Sequence, residues 1–275
     1  MIRRGLVVVL VAAMAALVGA AADAADGSVE RLYVLDCGQN IGKDQSRWSP
    51  GVNEGKVIEF SDNCYLIKHA KGLILWDTGI PDAVAAMPDG MVVANGAITY
   101  RRTKTLAAQL AEIGIKPADI TYVALSHTHG DHVGNIGLFP SSAVLIQDAE
   151  YDWAMAGAAK PAFASTQTIT RLTGDRDVFG DGSVVILSTP GHTPGHQSLL
   201  VRLPKTGFIV LSGDAVHFED NWTNKRVPSM NVNRDQTLAS LERLATVLGE
   251  KKAQLWINHD KAQSATLRYA PASYE

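Results

Sequence analysis

Cysteine is scarce in this chain: two of its 275 residues, Cys37 and Cys64, carry a thiol. Neither lies in a motif of metal-binding spacing, which argues against a cysteine-ligated zinc site. A basic surplus is also missing. The net charge is −3, and it becomes −4 once the first 24 residues, which hold Arg3, Arg4 and Asp23, are set aside. A chain without excess Lys and Arg is a poor candidate for binding nucleic acid. Past residue 24 no apolar run approaches membrane-spanning length. Internal repeats, low-complexity segments and domain linkers are absent as well.

What is present begins with a leader. Arg3 and Arg4 precede an apolar stretch from Gly5 to about Ala22, and Ala22-Asp23-Ala24 supplies a small-x-small cleavage site. This pattern reads as a secretory signal peptide over residues 1–24, with an uncleaved anchor as the alternative. The remaining 25–275 fit one large domain with ample core. The expected location is periplasmic or secreted. Cys37 and Cys64 fall in or just after two neighbouring candidate strands, 31–36 and 63–68. A disulfide and a pair of buried free thiols are both open at this point.

Histidine carries the chemistry. His127-Thr128-His129-Gly130-Asp131-His132 places three imidazoles and a carboxylate within six positions. These are the nitrogen and oxygen donors that borderline divalent metals such as zinc select. Further donors follow at His192, Asp214 and His259. Each directly follows a short run rich in Val, Ile and Leu: 120–125, 184–187, 208–211 and 255–257. Such runs, closed by Gly, Pro, Asn or Asp, predict buried strands ending in loops. Four strands of one layered sheet would bring those loops together along a single edge.

Helical spacing predicts helices over 103–113, ended by Gly114, and 235–248, ended by Gly249, with a weaker one over 148–159. The segments 38–56, 87–102 and 217–232 lack clear periodicity and are candidate lids. Within them Met87, Met91, Phe218, Trp222 and Met230 offer an apolar lining for a ligand pocket.

The order HxHxDH, His, Asp, His, with Trp76-Asp77-Thr78-Gly79 upstream, resembles the metallo-β-lactamase superfamily. Within it the chain most resembles the N-acyl homoserine lactonases, which open quorum-sensing lactones. The similarity runs from about Leu32-Tyr33-Val34 to His259-Asp260-Lys261-Ala262-Gln263. It implies an α/β fold of two mixed sheets between helical layers, αββα, and two zinc ions. His127, His129 and His192 would hold the first ion. Asp131, His132 and His259 would hold the second, and Asp214 would bridge both. A metal-bridging hydroxide would attack the lactone carbonyl. Asp131 would also pass a proton to the leaving alkoxide. Asp77 and Asp260 would orient ligand imidazoles. The implied partner is a small-molecule lactone, with the protein a monomer or homodimer free of membrane after signal removal.

Three histidines remain. His69 is expected to be solvated in a turn, and His196 to be packed and hydrogen-bonded. His217 stands where lactonases commonly carry a tyrosine, three residues after the bridging aspartate, and its imidazole can donate to a substrate carbonyl instead. The alternatives are a β-lactamase, which does not usually place aspartate at position 214, and a glyoxalase II-like thioesterase, which needs a cationic glutathione site. A flavo-diiron enzyme would need a flavodoxin module that the chain has no room for. A non-enzymatic periplasmic metal-binding protein explains the donors but not the long unpatterned segments.

Overall fold

The computed structural model describes residues 28–157 and 160–275; the leader lies outside them. The strands are β1 (Val29–Gly42), β2 (Ile58–His69), β3 (Gly72–Trp76), β4 (Met91–Val93), β5 (Ile98–Arg101), β6 (Tyr122–Ala124) and β7 (Ala143–Gln147). They continue with β8 (Thr168–Leu172), β9 (Arg176–Asp177), β10 (Val184–Ser188), β11 (Gln197–Leu203), β12 (Gly207–Leu211) and β13 (Gln254–Trp256). The helices are α1 (Leu106–Glu112), α2 (Gly130–Val133), α3 (Asp148–Ala156), α4 (Glu219–Asn224), α5 (Arg234–Lys251) and α6 (Lys261–Ser264). An eight-stranded sheet runs β4-β5-β1-β2-β3-β6-β7-β8, and a five-stranded sheet runs β13-β12-β11-β10-β9. Pairing is antiparallel except along β3-β6-β7-β8 and between β12 and β13, so both sheets are mixed.

Strand periodicity of two explains the layers. In β3, Ile74 and Trp76 face the space between the sheets, whereas Leu75 faces outward. In β11, Leu199 and Val201 face inward and Leu200 faces outward. The inner faces meet in one apolar core, Val34, Tyr65 and Ile67 against Val184, Ile186 and Ile209. Outside the larger sheet, Leu106 and Leu110 of α1 pack on Leu35, Leu66 and Val123. Outside the smaller sheet, Leu244 of α5 packs on Leu187 and Val210. Each such side chain contributes roughly 1.5–3 kcal/mol when buried. The result is the expected αββα sandwich.

Four expectations change. The donor-bearing strands do not belong to one sheet, because β6 lies in the larger sheet while β10, β12 and β13 lie in the smaller. α1 starts at Leu106, because Thr105 Oγ1 accepts from Ala108 N (3.1 Å) and the Asp82 carboxylate accepts from Leu106 N (2.7 Å). α3 ends at Ala156, ahead of Gly157. α5 passes Gly249 and stops at Lys252, whose left-handed backbone (φ 51°) lets Ala253 N–H reach Leu248 O at 2.9 Å.

The candidate lids are in part regular structure. Residues 38–42 continue β1, β4 and β5 form a hairpin paired to β1, and α4 occupies residues 219–224 of the third segment. Elements only three to six residues long are too short to show periodicity in sequence, so they read as loops. No helix among the described residues is long and apolar enough to cross a membrane.

Cys37 and Cys64 form a disulfide across β1 and β2, with Cα atoms 5.6 Å apart. Cys37 sits where the β1–β2 register shifts between Asp36 and Gly38. Tying residues 27 apart restricts the unfolded chain by about 3 kcal/mol. The Cys37→Ser/Cys64→Ser double variant should therefore lose about 3 kcal/mol of unfolding free energy in urea. An unchanged midpoint and slope would show that the bond constrains nothing.

Candidate metal centre

All seven sequence-assigned donors converge at one end of the sandwich, where the C-terminal ends of β6, β10, β12 and β13 open. His127 and His132 follow β6, with Asp131 and His132 on the four-residue helix α2. α2 is seated on the turn after β3: Gly134 N–H donates to Gly79 O (2.9 Å) and Thr78 N–H to His132 O (2.7 Å). Gly134 has no room for a Cβ, which would lie on the backbone of Gly79 and Pro81. His192, Asp214 and His259 arrive from the second sheet.

Asp214 is the centre of the cluster. Its Oδ2 lies 3.4 Å from His192 Nε2, 3.7 Å from His127 Nε2 and 3.2 Å from His217 Nε2. Its Oδ1 lies 3.1 Å from His259 Nε2 and 3.2 Å from His132 Nε2. His129 Nδ1 sits 2.9 Å from His127 Nε2 and 3.0 Å from His192 Nε2. Asp131 lies 3.9 Å from His259 Nε2 and 4.0 Å from His132 Nε2. Two donor groups result, His127/His129/His192/Asp214 and Asp131/His132/His259, each with its ligand atoms within 4.8 Å of one another. A third group, Asp214/His217/His259, overlaps them.

The nitrogens facing away from the centre fix how the rings present themselves. His132 Nδ1 donates to Asp77 Oδ2 (2.9 Å), His259 Nδ1 to Ser61 O (2.6 Å) and His192 Nδ1 to Asn231 Oδ1 (2.9 Å). With the proton held on Nδ1, each Nε2 lone pair is directed at the centre. His196, packed as expected, does the same for Asp214: its Nδ1 donates to Thr189 O (3.0 Å) and its Nε2 accepts from Asp214 N (2.8 Å). Burial holds the His196 ring neutral, with a pKa down at about 3.

The donors fit a cation. His132 Nε2 and Asp214 Oδ1 are buried without a hydrogen-bond partner, although only 3.2 Å apart. Native interiors rarely leave such atoms unpaired unless an ion or water serves them. Burial pushes His127 and His192 well below the ordinary imidazole range, reinforced by neighbouring imidazoles, so their lone pairs are free. Burial opposes charge on His132 and His259 too, but Asp214 and the other carboxylates outweigh it, raising His132 well above its usual range and His259 to about 9. Burial would raise Asp214, yet His259, His132, His217 and His127 together hold it well below the carboxylate range. The centre is built for positive charge, supplied by protons or by metal.

Two site expectations are overturned. Asp260 orients no imidazole; its carboxylate caps α6 by accepting from Gln263 N (2.9 Å) and also accepts from Glu219 N (2.8 Å). The carbonyl of Ser61 takes the place assigned to it. His69 is not solvated: it is buried, stacked on Phe179 with centroids 3.9 Å apart and bonded through Nε2 to Asp181 (2.9 Å). Its turn is covered by the loop between β9 and β10, a contact that local sequence does not show. Asp77 meets expectation, in left-handed backbone (φ 58°) that lets one carboxylate serve both His132 and Ser126 N (2.6 Å). Such a conformation costs about 1–3 kcal/mol.

A cavity of about 250 Å³ opens onto the donors. Trp48, Phe60, Ile98, Tyr100 and Met230 line it, together with Arg47 and Ala94. Of the five apolar residues proposed from sequence, Met230 alone is in this lining. Phe218 packs behind Phe60 (5.9 Å between centroids), Trp222 packs under α5, Met91 packs on Ile80 and Tyr100, and Met87 borders a separate groove. Asn40 and Tyr100, unremarked in sequence, flank Asp131: Asn40 Nδ2 donates to Asp131 Oδ2 at 2.8 Å. Nothing local marks them, since β1 and β5 bring them in from far along the chain.

The chain belongs to the metallo-β-lactamase superfamily, whose profile matches residues 57–251, and it is a metal-dependent hydrolase of that class. Among its relatives is the N-acyl homoserine lactonase AttM of Azorhizobium caulinodans, 32% identical over 270 residues covering 89% of this chain and 98% of that protein. The N-acyl homoserine lactonase AiiA of Bacillus thuringiensis subsp. kurstaki is 30% identical over 251 residues, again covering 89% and 98%. A solved N-acyl homoserine lactone hydrolase, with N-hexanoyl-L-homoserine bound at its catalytic metal centre, superposes with a TM-score of 0.81. It is 29% identical and covers 90% of this chain and 99% of that one.

Reconstituted protein should bind about two divalent ions per chain, and Asp214→Ala should bind fewer while keeping its far-UV circular dichroism. Elemental analysis giving one ion or none in the parent chain would remove the paired arrangement.

Proposed function

We propose that this protein opens the lactone ring of N-acyl homoserine lactones, using two zinc ions held by His127, His129 and His192 on one side and Asp131, His132 and His259 on the other, with Asp214 shared. The observation that carries this reading is Asp214 with an imidazole-lined donor group on each carboxylate oxygen, in a chain that spans nearly the whole length of relatives named for that reaction. Zinc in such a donor set lowers the pKa of a bound water toward neutrality and polarises a carbonyl.

The chain's own residues account for the rest. Asp131 is partly open to the cavity and held by Asn40, so its carboxylate is free to receive a proton and deliver it to the departing ring oxygen. Tyr100 stands beside it with a phenol that burial, then the nearby Asp131 and Asp62, keep protonated. The ring and amide of the substrate meet the polar donors, and Trp48, Phe60, Ile98 and Met230 give the acyl chain an apolar wall. His217 borders the same cavity, and its Nδ1 is buried without a partner among the described residues. The opposite nitrogen, Nε2, faces the centre 3.2 Å from Asp214 Oδ2, and it is this nitrogen that would donate to the substrate carbonyl as it gains charge, the task lactonases commonly give a tyrosine. A periplasmic or secreted location agrees with the leader and with the Cys37–Cys64 bond.

Mass spectrometry should detect ring-opened product from acyl homoserine lactones, with turnover abolished by a chelator and restored by zinc. Preferential turnover of a β-lactam or an acyl-glutathione would replace this assignment. The same preparation should begin near Ala25 when exported with its own leader.

For His217, a bond strongest in the transition state acts on kcat. His217→Ala should lower kcat on the order of ten- to a thousandfold, while His217→Tyr keeps substantial activity. Unchanged kcat in the Ala variant, with Tm reduced, would make His217 a packing residue.

A further inference from the structure

Glu150, in the first turn of α3, is a fully buried carboxylate that no proposed chemical step uses. It takes part in no ion pair among the described residues. Its partners are neutral donors from two different loops. Oε1 accepts from Thr128 N and Thr128 Oγ1, both at 2.8 Å, and Oε2 accepts from Gly195 N at 3.1 Å. Thr128 lies between His127 and His129. Gly195 lies between His192 and His196. The loop carrying His192 rests directly on this part of α3, since a Cβ on Gly195 would come within 2.6 Å of Glu150 Cβ.

One carboxylate therefore spans the two chain segments, from different sheets, that together supply three of the donors at one side of Asp214. Through Gly195 it also anchors His196, whose Nε2 accepts from Asp214 N. A buried carboxylate is costly unless it is hydrogen-bonded and charge-compensated. Here the hydrogen bonds are satisfied while no ion pair among the described residues supplies a countercharge, and both loops that it ties lead into the donor centre.

We propose that Glu150 is a positioning residue for the His127/His129/His192 half of the metal centre, setting the spacing of those imidazoles and supplying negative charge that favours cation occupancy. The inference rests on the metal-binding reading of these imidazoles and does not depend on the lactone assignment. Glu150→Gln preserves shape but offers a single acceptor oxygen, so one of the two loops is released and the charge is removed. Thr128→Val removes one donor and leaves the other, and Thr128→Ser keeps both.

The test is competition of the full-length mature protein against a chromophoric chelator for zinc, with visible spectra of the cobalt-loaded form. Glu150→Gln should weaken one of the two binding steps by about 10- to 100-fold and leave the other nearly unchanged. Thr128→Val should show a smaller loss, and Thr128→Ser none. Leu203→Ala, in the core at the far end of β11, serves as the stability control: its Tm should fall without a change in zinc affinity. The inference is overturned if Glu150→Gln binds both ions as the parent does, or if Leu203→Ala reproduces the loss. If the parent chain itself binds no zinc, the metal reading fails instead.

Discussion

The structure depends on placing the Asp214 carboxylate, buried, among five imidazoles. A lone carboxylate in that position would be pushed toward protonation, and lone imidazoles toward neutrality. Together they reverse burial's effect on Asp214, His132 and His259, while His127 and His192 stay neutral. No single element supplies this arrangement. β6 brings His127, α2 brings Asp131 and His132, and the ends of β10, β12 and β13 bring His192, Asp214 and His259. The sandwich exists, in functional terms, to hold two sheet ends close enough for one carboxylate to meet both.

That closeness is maintained by hydrogen bonds one layer out. Asp77, Ser61 and Asn231 each take the outward N–H of a ring, and His196 accepts from the backbone of Asp214. Several of these groups are themselves tied across the sheets. Ser61 Oγ donates to Asn258 O at 2.8 Å, linking β2 to the loop that bears His259. Asn63 and Ser264 extend the same link into α6 (2.8 Å). Glu150 performs a parallel service between the loops after β6 and β10. Side chains that never touch a cation thus determine where its ligands stand, which is why metal sites are sensitive to substitutions beyond their ligands.

Over the centre, the wall comes from parts of the chain with little sequence signature. Trp48 and Phe60 meet with ring centroids 5.1 Å apart, and Phe60 lies 5.1 Å from the His259 ring. This apolar cluster abuts the polar donors directly, so a ligand can present a reactive ester to one side and a hydrocarbon chain to the other. The β4–β5 hairpin is built into the fold by its pairing to β1, which sets Ala94, Ile98 and Tyr100 in the cavity wall.

Much of this is legible in the amino-acid sequence. The seven donors follow from residue type and spacing, because metal donors are chemically distinctive and strands ending in ligand loops leave a regular trace; the αββα class and a ligand-orienting Asp77 are what the resemblance to the metallo-β-lactamase superfamily implies. Positions 69 and 260 show where that reasoning stops. His69 beside Lys68 and Lys71 looks like a solvated turn, and only the loop carrying Phe179 and Asp181 buries it. Asp260 next to a ligand histidine looks like its orienting partner, yet its geometry commits it to the start of α6 and leaves the His259 proton to a carbonyl from β2. Asn40, Tyr100, Glu150 and the Cys37–Cys64 bond were likewise decided by tertiary structure. Local sequence records what a side chain can donate, accept or ligate. Which partner it meets depends on strands brought together from distant parts of the chain, and that only the folded sandwich specifies.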